Sequence, residues 1–246
     1  SYQDSPSGEG AAARTFRDTV QTALDLAGVE YARLTDAEAE QGALARYRVA
    51  IFPYNFILPE AEEQAILRYL DSGGKVFFFY SIPGSVAERI GMTYVEHVNG
   101  DYQTIKLAAR DIQGLPPMVA QASWNIHRMK VSAPDARAIG RWYDSRGRRL
   151  PDPAVIVSPR GAYMSHVLTD VDLAQKGRML LAILGWLCPE VWPPAATRAI
   201  TAMAAVLLSP LPAVVSPFHD HVPSSIWRST PAIAARTATT SGCLGP

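Results

Sequence analysis

Cysteine, net charge and long apolar runs are all scarce in this 246-residue sequence. Its two cysteines, Cys188 and Cys243, lie far apart. They form neither a disulfide framework nor a metal-ligand spacing, and Cys188 at an apolar helix end reads as a buried thiol. Lys plus Arg balance Asp plus Glu at 23 each, so no global field draws the chain to nucleic acid or to an anionic membrane. The longest apolar run, "MLLAILGWLC", is about half the length of a membrane-spanning helix. The opening "SYQDSPSGEG" has neither the basic region nor the apolar core of a signal peptide. The expectation is a soluble chain without a signal peptide, secreted or cytoplasmic. From Pro193 onward Lys and Glu vanish while Pro, Ala, Ser and Thr accumulate.

Apolar residues are nevertheless abundant, at 48% of the chain, enough for a sizeable core. "AAARTFRDTVQTALDLAG" carries Phe16, Val20, Ala23, Leu24 and Ala27 on one helical stripe closed by Gly28. "VEYARL" alternates like a short strand. "YRVAIFP" and "KVFFFY" are continuously apolar, as strands buried on both faces are. Between them "LPEAEEQAILRYLDSGG" has an acidic first turn and a Gly-Gly stop, so it is a helix. Strand, helix, strand with this patterning indicates a βαβ unit in a parallel sheet. The middle "TIKLAARDIQGLPPMVAQ" reads as irregular. It is followed by the strand-like runs "WNIHRMKV", "AIGRWYD", "AVIVSP" and "GAYMSHVL", two of them joined by the hairpin-like "DSRGRRLPDP". "VDLAQKGRMLLAILGWL" is a strong closing helix. The sequence predicts one three-layer, flavodoxin-like α/β domain over residues 11–192, mostly parallel with an antiparallel hairpin region. Residues 193–246 are expected to be a disordered or loosely packed tail, in which "AITAMAAVLL" is the one helical run.

Three segments, in order, resemble the class I glutamine amidotransferase-like fold. They are "RVAIFPYNFILPEAEEQAILRYLDSGGKVFFFY", the elbow-like "SIPGSVAERIGM" and "GAYMSHVLTDVDLAQKGRMLLAILGWL". "YLDSGGKVFFFY" is most like the versions attached to glycosidases, such as β-galactosidase trimerisation domains and glycosyl-hydrolase-like proteins. The resemblance implies a nucleophile elbow at residues 80–82 and a histidine at His166. The chemistry of the family does not follow with it. The elbow holds Tyr80, Ser81 and Ile82 without a cysteine, and Leu168 stands where the family places a glutamate. The family's first strand, expected ahead of Gly8 and Gly10, has no counterpart. Glutaminase activity is therefore not expected.

The remaining candidates are few. Ser81 as a nucleophile lacks the small neighbours that a serine elbow requires, and a helix-capping role competes with that reading. His166 has the chemistry of a general base or of a pocket-lining residue. Asn55, Tyr80, Ser81 and His166 are the expected pocket residues, at the strand ends where open α/β sheets hold ligands. "HDH" (His219, Asp220, His221) resembles a ligand cluster but lies in the tail, so no metal site is expected, and no cofactor. Gly8 and Gly10 lack the rest of a phosphate motif. Trp124, Trp142, Tyr143 and Tyr163 suit a sugar platform and a core equally.

Three functions remain open. The first is a catalytically inactive structural, oligomerisation or accessory module of a carbohydrate-active protein, paired with itself or with an adjacent glycosidase domain. The second is a hydrolase using Ser81 and His166. The third is a domain that binds a small molecule such as a sugar.

Overall fold

The structure, a computed structural model, describes residues 9–208. His219, Asp220, His221, Cys243 and Gly8 lie outside the described residues. Helices α1 (Glu9–Leu26), α2 (Asp36–Glu40), α3 (Glu60–Asp71), α4 (Gly84–Arg89), α5 (Leu173–Leu187) and α6 (Trp192–Leu208) surround one seven-stranded sheet. Its strands are β1 (Val49–Phe52), β2 (Lys75–Phe79), β3 (Met92–Leu107), β4 (Met118–Val131), β5 (Arg137–Tyr143), β6 (Arg149–Ser158) and β7 (Gly161–Met164). Their order across the sheet is β1-β2-β7-β6-β5-β3-β4.

Three layers follow from the period-2 side-chain alternation of the central strands. Phe77 and Phe79 of β2, Ala162 and Met164 of β7, and Val155 and Val157 of β6 enter one core with Val20 and Leu24 of α1 and Leu180 and Ile183 of α5. Val76, Phe78, Tyr163 and Ile156 enter the other, with Ile66 and Leu70 of α3 and Val86 of α4. Phe77, Phe78 and Phe79 are fully buried, each contributing about 1.5–3 kcal/mol. Phe78 stacks on Phe52 at 4.1 Å. Helices α1 and α5 approach closely at Gly177, where an added Cβ would lie 2.6 Å from the Ala23 carbonyl oxygen.

The fold class is α/β, as the sequence indicates, and the sheet is mixed. The strands β1, β2 and β7 pair in parallel. From β7 the pairing runs antiparallel through β6, β5, β3 and β4. The antiparallel region is larger than its hairpin signal suggests because residues 92–107 form one long strand and the stretch read as irregular is strand at both of its ends. β3 extends to Leu107, β4 starts at Met118, and only residues 108–117 between them are irregular. Much of β3 is exposed, so burial does not impose the alternation that marks a strand in sequence.

"VEYARL" is not a strand. Gly28, at φ 70°, ends α1 in a Schellman turn, with Val29 N–H donating to Leu24 O at 3.0 Å and Gly28 N–H to Asp25 O at 3.0 Å. Val29 then packs into the core, and no neighbouring strand offers it a ladder.

The compositional break at Pro193 falls in the first turn of α6. Trp192 enters a notch left by Gly185, where a Cβ would stand 2.2 Å from the indole Nε1. Ala195 is buried, and Arg198 pairs with Glu30 at 2.5 Å. No described helix is long and apolar enough to cross a membrane.

Candidate functional site

The parallel strands β2 and β7 end together, Phe79 opposite Met164, and the chain turns sharply after each. Tyr80 takes a φ of 61°, a left-handed conformation uncommon for a bulky residue and enriched at functional sites. Hydrogen bonds hold it there. Tyr80 N–H donates to Met164 O at 2.9 Å, and Tyr80 O accepts the Tyr163 hydroxyl at 2.6 Å. The same hydroxyl donates to His127 O at 3.1 Å, and His127 N–H donates to Ser165 O at 2.9 Å. The β3–β4 ribbon is thereby fastened against the ends of β2 and β7.

The strained residue of the elbow is Tyr80, and Ser81 follows it. The Ser81 hydroxyl donates to the Phe56 carbonyl at 3.2 Å, which ties the start of α4 to the loop after β1. Asn55 lies half-buried on that loop. His166 is buried, its Nδ1 2.9 Å from Val167 O. That contact makes Nδ1 the protonated nitrogen and leaves Nε2 as an acceptor. None of the described hydrogen bonds joins Ser81 or Asn55 to His166. Of the four pocket candidates, the structure brings Tyr80 and His166 together, with ring centroids 5.7 Å apart and edge to face.

Tyr80 is the hub of a ring cluster. Its ring stacks on His127 at 3.9 Å and faces Tyr54 at 6.1 Å. His97 meets Tyr80 and His127 edge-on at 6.5 and 5.6 Å. Tyr94 stands edge-on to His127 at 5.5 Å, and Trp124 to His166 at 4.6 Å. Trp124 is 56% exposed and Tyr94 46%, whereas Trp142 and Tyr163 are fully buried. The even sequence choice between sugar platform and core therefore divides: Trp124 is a surface ring, while Trp142 and Tyr163 are core.

Charge is kept out of this cluster. Burial pushes the pKa of His166 down to about 4, its bond to Val167 O opposing and the Lys176 ammonium adding to the fall. Burial likewise pushes His127 down to about 4, with His97 adding to it. Tyr80 is raised by burial and by Tyr94, and a hydrogen bond from Asn125 opposes the rise. Lys176 is fully buried, its ammonium donating to Thr169 O and Oγ1, both at 2.8 Å, and burial lowers its pKa to about 7.

A polar stripe on β4 completes the site and is not singled out by the sequence. Gln121 Nε2 donates to Val167 O at 2.5 Å. Gln121 Oε1, Ser123 Oγ and Asn125 Oδ1 are buried without partners. The available signal is weak: polar residues at 121, 123, 125 and 127, interrupted in register by Ala122 at φ 53°. Among the described residues no three His, Cys, Asp or Glu side chains gather as metal ligands.

No protein-family model and no curated protein matches the sequence. Solved structures do. A ThuA-like protein from Bacteroides uniformis superposes with a TM-score of 0.58 at 15% identity, over 76% of this chain and 90% of that one. The α-L-fucosidase isoenzyme 2 of Paenibacillus thiaminolyticus gives 0.52 at 18% identity over 72% of this chain, which spans 30% of the fucosidase chain. A glutamine amidotransferase from Thermotoga maritima aligns more loosely, at 0.34 and 12% identity. At these identities the likeness is one of fold: the chain shares its α/β architecture with a ThuA-like protein and with part of a glycosidase chain.

Proposed function

We propose that this chain is a catalytically silent amidotransferase-like module serving a carbohydrate-active protein as an accessory domain. One observation carries the reading: Tyr80, with its ring stacked on His127, occupies the left-handed residue of the elbow. A nucleophile needs a thiolate or alkoxide at such a turn and a base within hydrogen-bond reach. A phenol of raised pKa meets neither need, and Ser81 is committed to Phe56 O. His166 is neutral, with its Nδ1 directed to Val167 O rather than to an orienting carboxylate. The occurrence of the fold within a fucosidase chain supports the carbohydrate context.

The test is turnover by the full chain on glutamine, aryl esters and aryl glycosides, beside its Ser81→Ala and His166→Gln variants. The silent reading expects no rate that either substitution removes. A rate on any of these substrates that is lost in both variants would instead establish a hydrolase. Light scattering across a concentration series then distinguishes self-association from a role beside another domain.

A further inference from the structure

An open cavity of about 400 Å³ lies at the amino ends of β2 and β7, opposite the elbow. Four elements meet there: the end of α3, the start of β2, the end of α4 and the β6–β7 turn. Its charged lining is Lys75, Arg89 and Arg160 against a single carboxylate, Asp71. The chain as a whole is neutral, so this convergence is a local excess of positive charge and not a reflection of composition. Asp71 pairs with Arg89. Among the described residues no carboxylate pairs with Lys75 or Arg160. Carbonyl oxygens hold these two instead: Lys75 Nζ donates to Leu187 O, and Arg160 Nη1 donates to Arg89 O at 3.1 Å. A carbonyl orients a cation without cancelling its charge, and both side chains keep N–H groups to spare.

Neighbouring groups leave that excess standing. Glu190 is within electrostatic reach of Lys75, but equally of Arg48, which offsets it. Glu88, beside Arg89 on α4, and Asp135, against Gly91, do not line the cavity. The carbonyls of Arg68, Tyr69 and Leu70 at the end of α3 accept from the amides of Ser72, Gly74 and Gly73, which blunts the negative end of that helix. Three cations less one carboxylate leave a charge of +2 on the lining. A phosphomonoester carries about −1.5 to −2 near neutral pH and presents three acceptor oxygens. Donors on three separate elements suit that tetrahedral group, whereas a carboxylate brings half the charge and repeats what Asp71 already does for Arg89. The volume is that of a small-molecule site, and Leu70 and Pro159 supply an apolar wall beside the charges.

We propose that this cavity binds a small soluble phosphomonoester. Lys75, Arg89 and Arg160 hold its phosphoryl oxygens, and its organic part lies against Leu70 and Pro159. The cavity and the elbow stand at opposite ends of the same two strands, so the proposal is independent of the silent reading.

Titration calorimetry on the full chain tests it, at neutral pH and constant ionic strength, with glucose 6-phosphate, inorganic phosphate and glucuronate as probes. Glucose 6-phosphate is expected to bind, and glucuronate, the matched carboxylate, to bind roughly tenfold more weakly or worse. Arg160→Gln, on an exposed turn, is expected to weaken glucose 6-phosphate by about tenfold. Asp71→Asn releases Arg89 and is expected to tighten binding, a gain that a damaged fold does not produce. Arg146→Gln removes the same charge at the β5–β6 turn, outside the cavity, and is expected to change nothing. The proposal falls if neither glucose 6-phosphate nor inorganic phosphate binds at about 10 mM. Cosedimentation with phosphatidate vesicles in that case would assign the phosphoryl group to a lipid and not to a soluble ester. The proposal also falls if Arg160→Gln binds as well as the parent, if Asp71→Asn does not tighten binding, or if glucuronate binds equally. None of these outcomes alters the turnover expected of the elbow.

Discussion

Tyr80 and His127 stack ring on ring at 3.9 Å, their planes 25° apart, at the point where β2 leaves the sheet. The left-handed turn after β2 is thus occupied by an aromatic contact. Tyr80→Cys would place a thiol at this turn without groups to activate it. His166 would remain neutral and bonded to Val167 O, and Leu168 supplies no carboxylate. The variant is expected to release no ammonia from glutamine and to lose about 1–3 kcal/mol of stability from the removed ring. An ammonia assay and a urea titration measure the two.

Tyr163 holds that turn from beneath. Its buried hydroxyl shares its one proton between the carbonyls of Tyr80, at 2.6 Å, and His127, at 3.1 Å, so Tyr163→Phe removes the bond that holds the Tyr80 carbonyl. The expected cost is about 1–3 kcal/mol, read as a lower urea midpoint at unchanged slope. Hydrogen exchange should quicken at the amide of His127. A loss spread evenly over the sheet would disprove the local role.

The two neutral histidines set an acid limit. His127 and His166 titrate in the unfolded chain near 6.5 but in the folded protein at about 4. Above pH 6.5 neither state is protonated and their contribution is complete. As pH falls toward 4 the unfolded chain takes protons that the native state refuses, and stability drops. His127→Gln should flatten the slope of stability against pH between 6.5 and 4. An unchanged slope would show that His127 is charged in the fold.

Glu62 acts in the opposite sense. It is 2% exposed, its Oε2 has no partner, and burial, with Glu40 adding to it, raises its pKa to about 7. The native carboxyl keeps its proton where the unfolded one, near 4.5, has lost it. Its favourable term is complete below pH 4.5 and is lost as pH rises through about 7. Glu62→Gln is expected to stabilise the protein at pH 8 by about 1–3 kcal/mol and to do little at pH 4. Thermal melts at the two pH values make the comparison.

Gly177 lets α5 touch α1. With a Cβ 2.6 Å from Ala23 O, Gly177→Ala gains helix propensity but separates the helices. A net loss of about 1–3 kcal/mol is expected, measured by denaturant titration. A gain would mean that α1 is free to shift.

Legibility in the sequence followed burial. β1, β2, α3 and α5 were readable because a core dictates their apolar patterns, continuous in the strands and periodic in the helices. "WNIHRMKV" was readable as the second half of β4, whereas β3 and the start of β4 were obscured by a polar ribbon whose bulges, at Val95 and near Ser123, break the alternation. The elbow was recognisable from its strand and helix. Its strained residue was not, because left-handed turns are signalled by glycine and this one carries Tyr80. The β4 acceptors leave only the weak mark of alternating polar residues, since an unmet hydrogen bond is a property of neighbours and not of a residue.

Trp192 has a consequence for how the molecule divides. Charge thins out at Pro193, yet the indole one residue earlier fills the Gly185 notch, and Arg198 reaches back to Glu30. The seam visible in composition is crossed by a key and a clasp, so a protease acting there would meet a fastened helix.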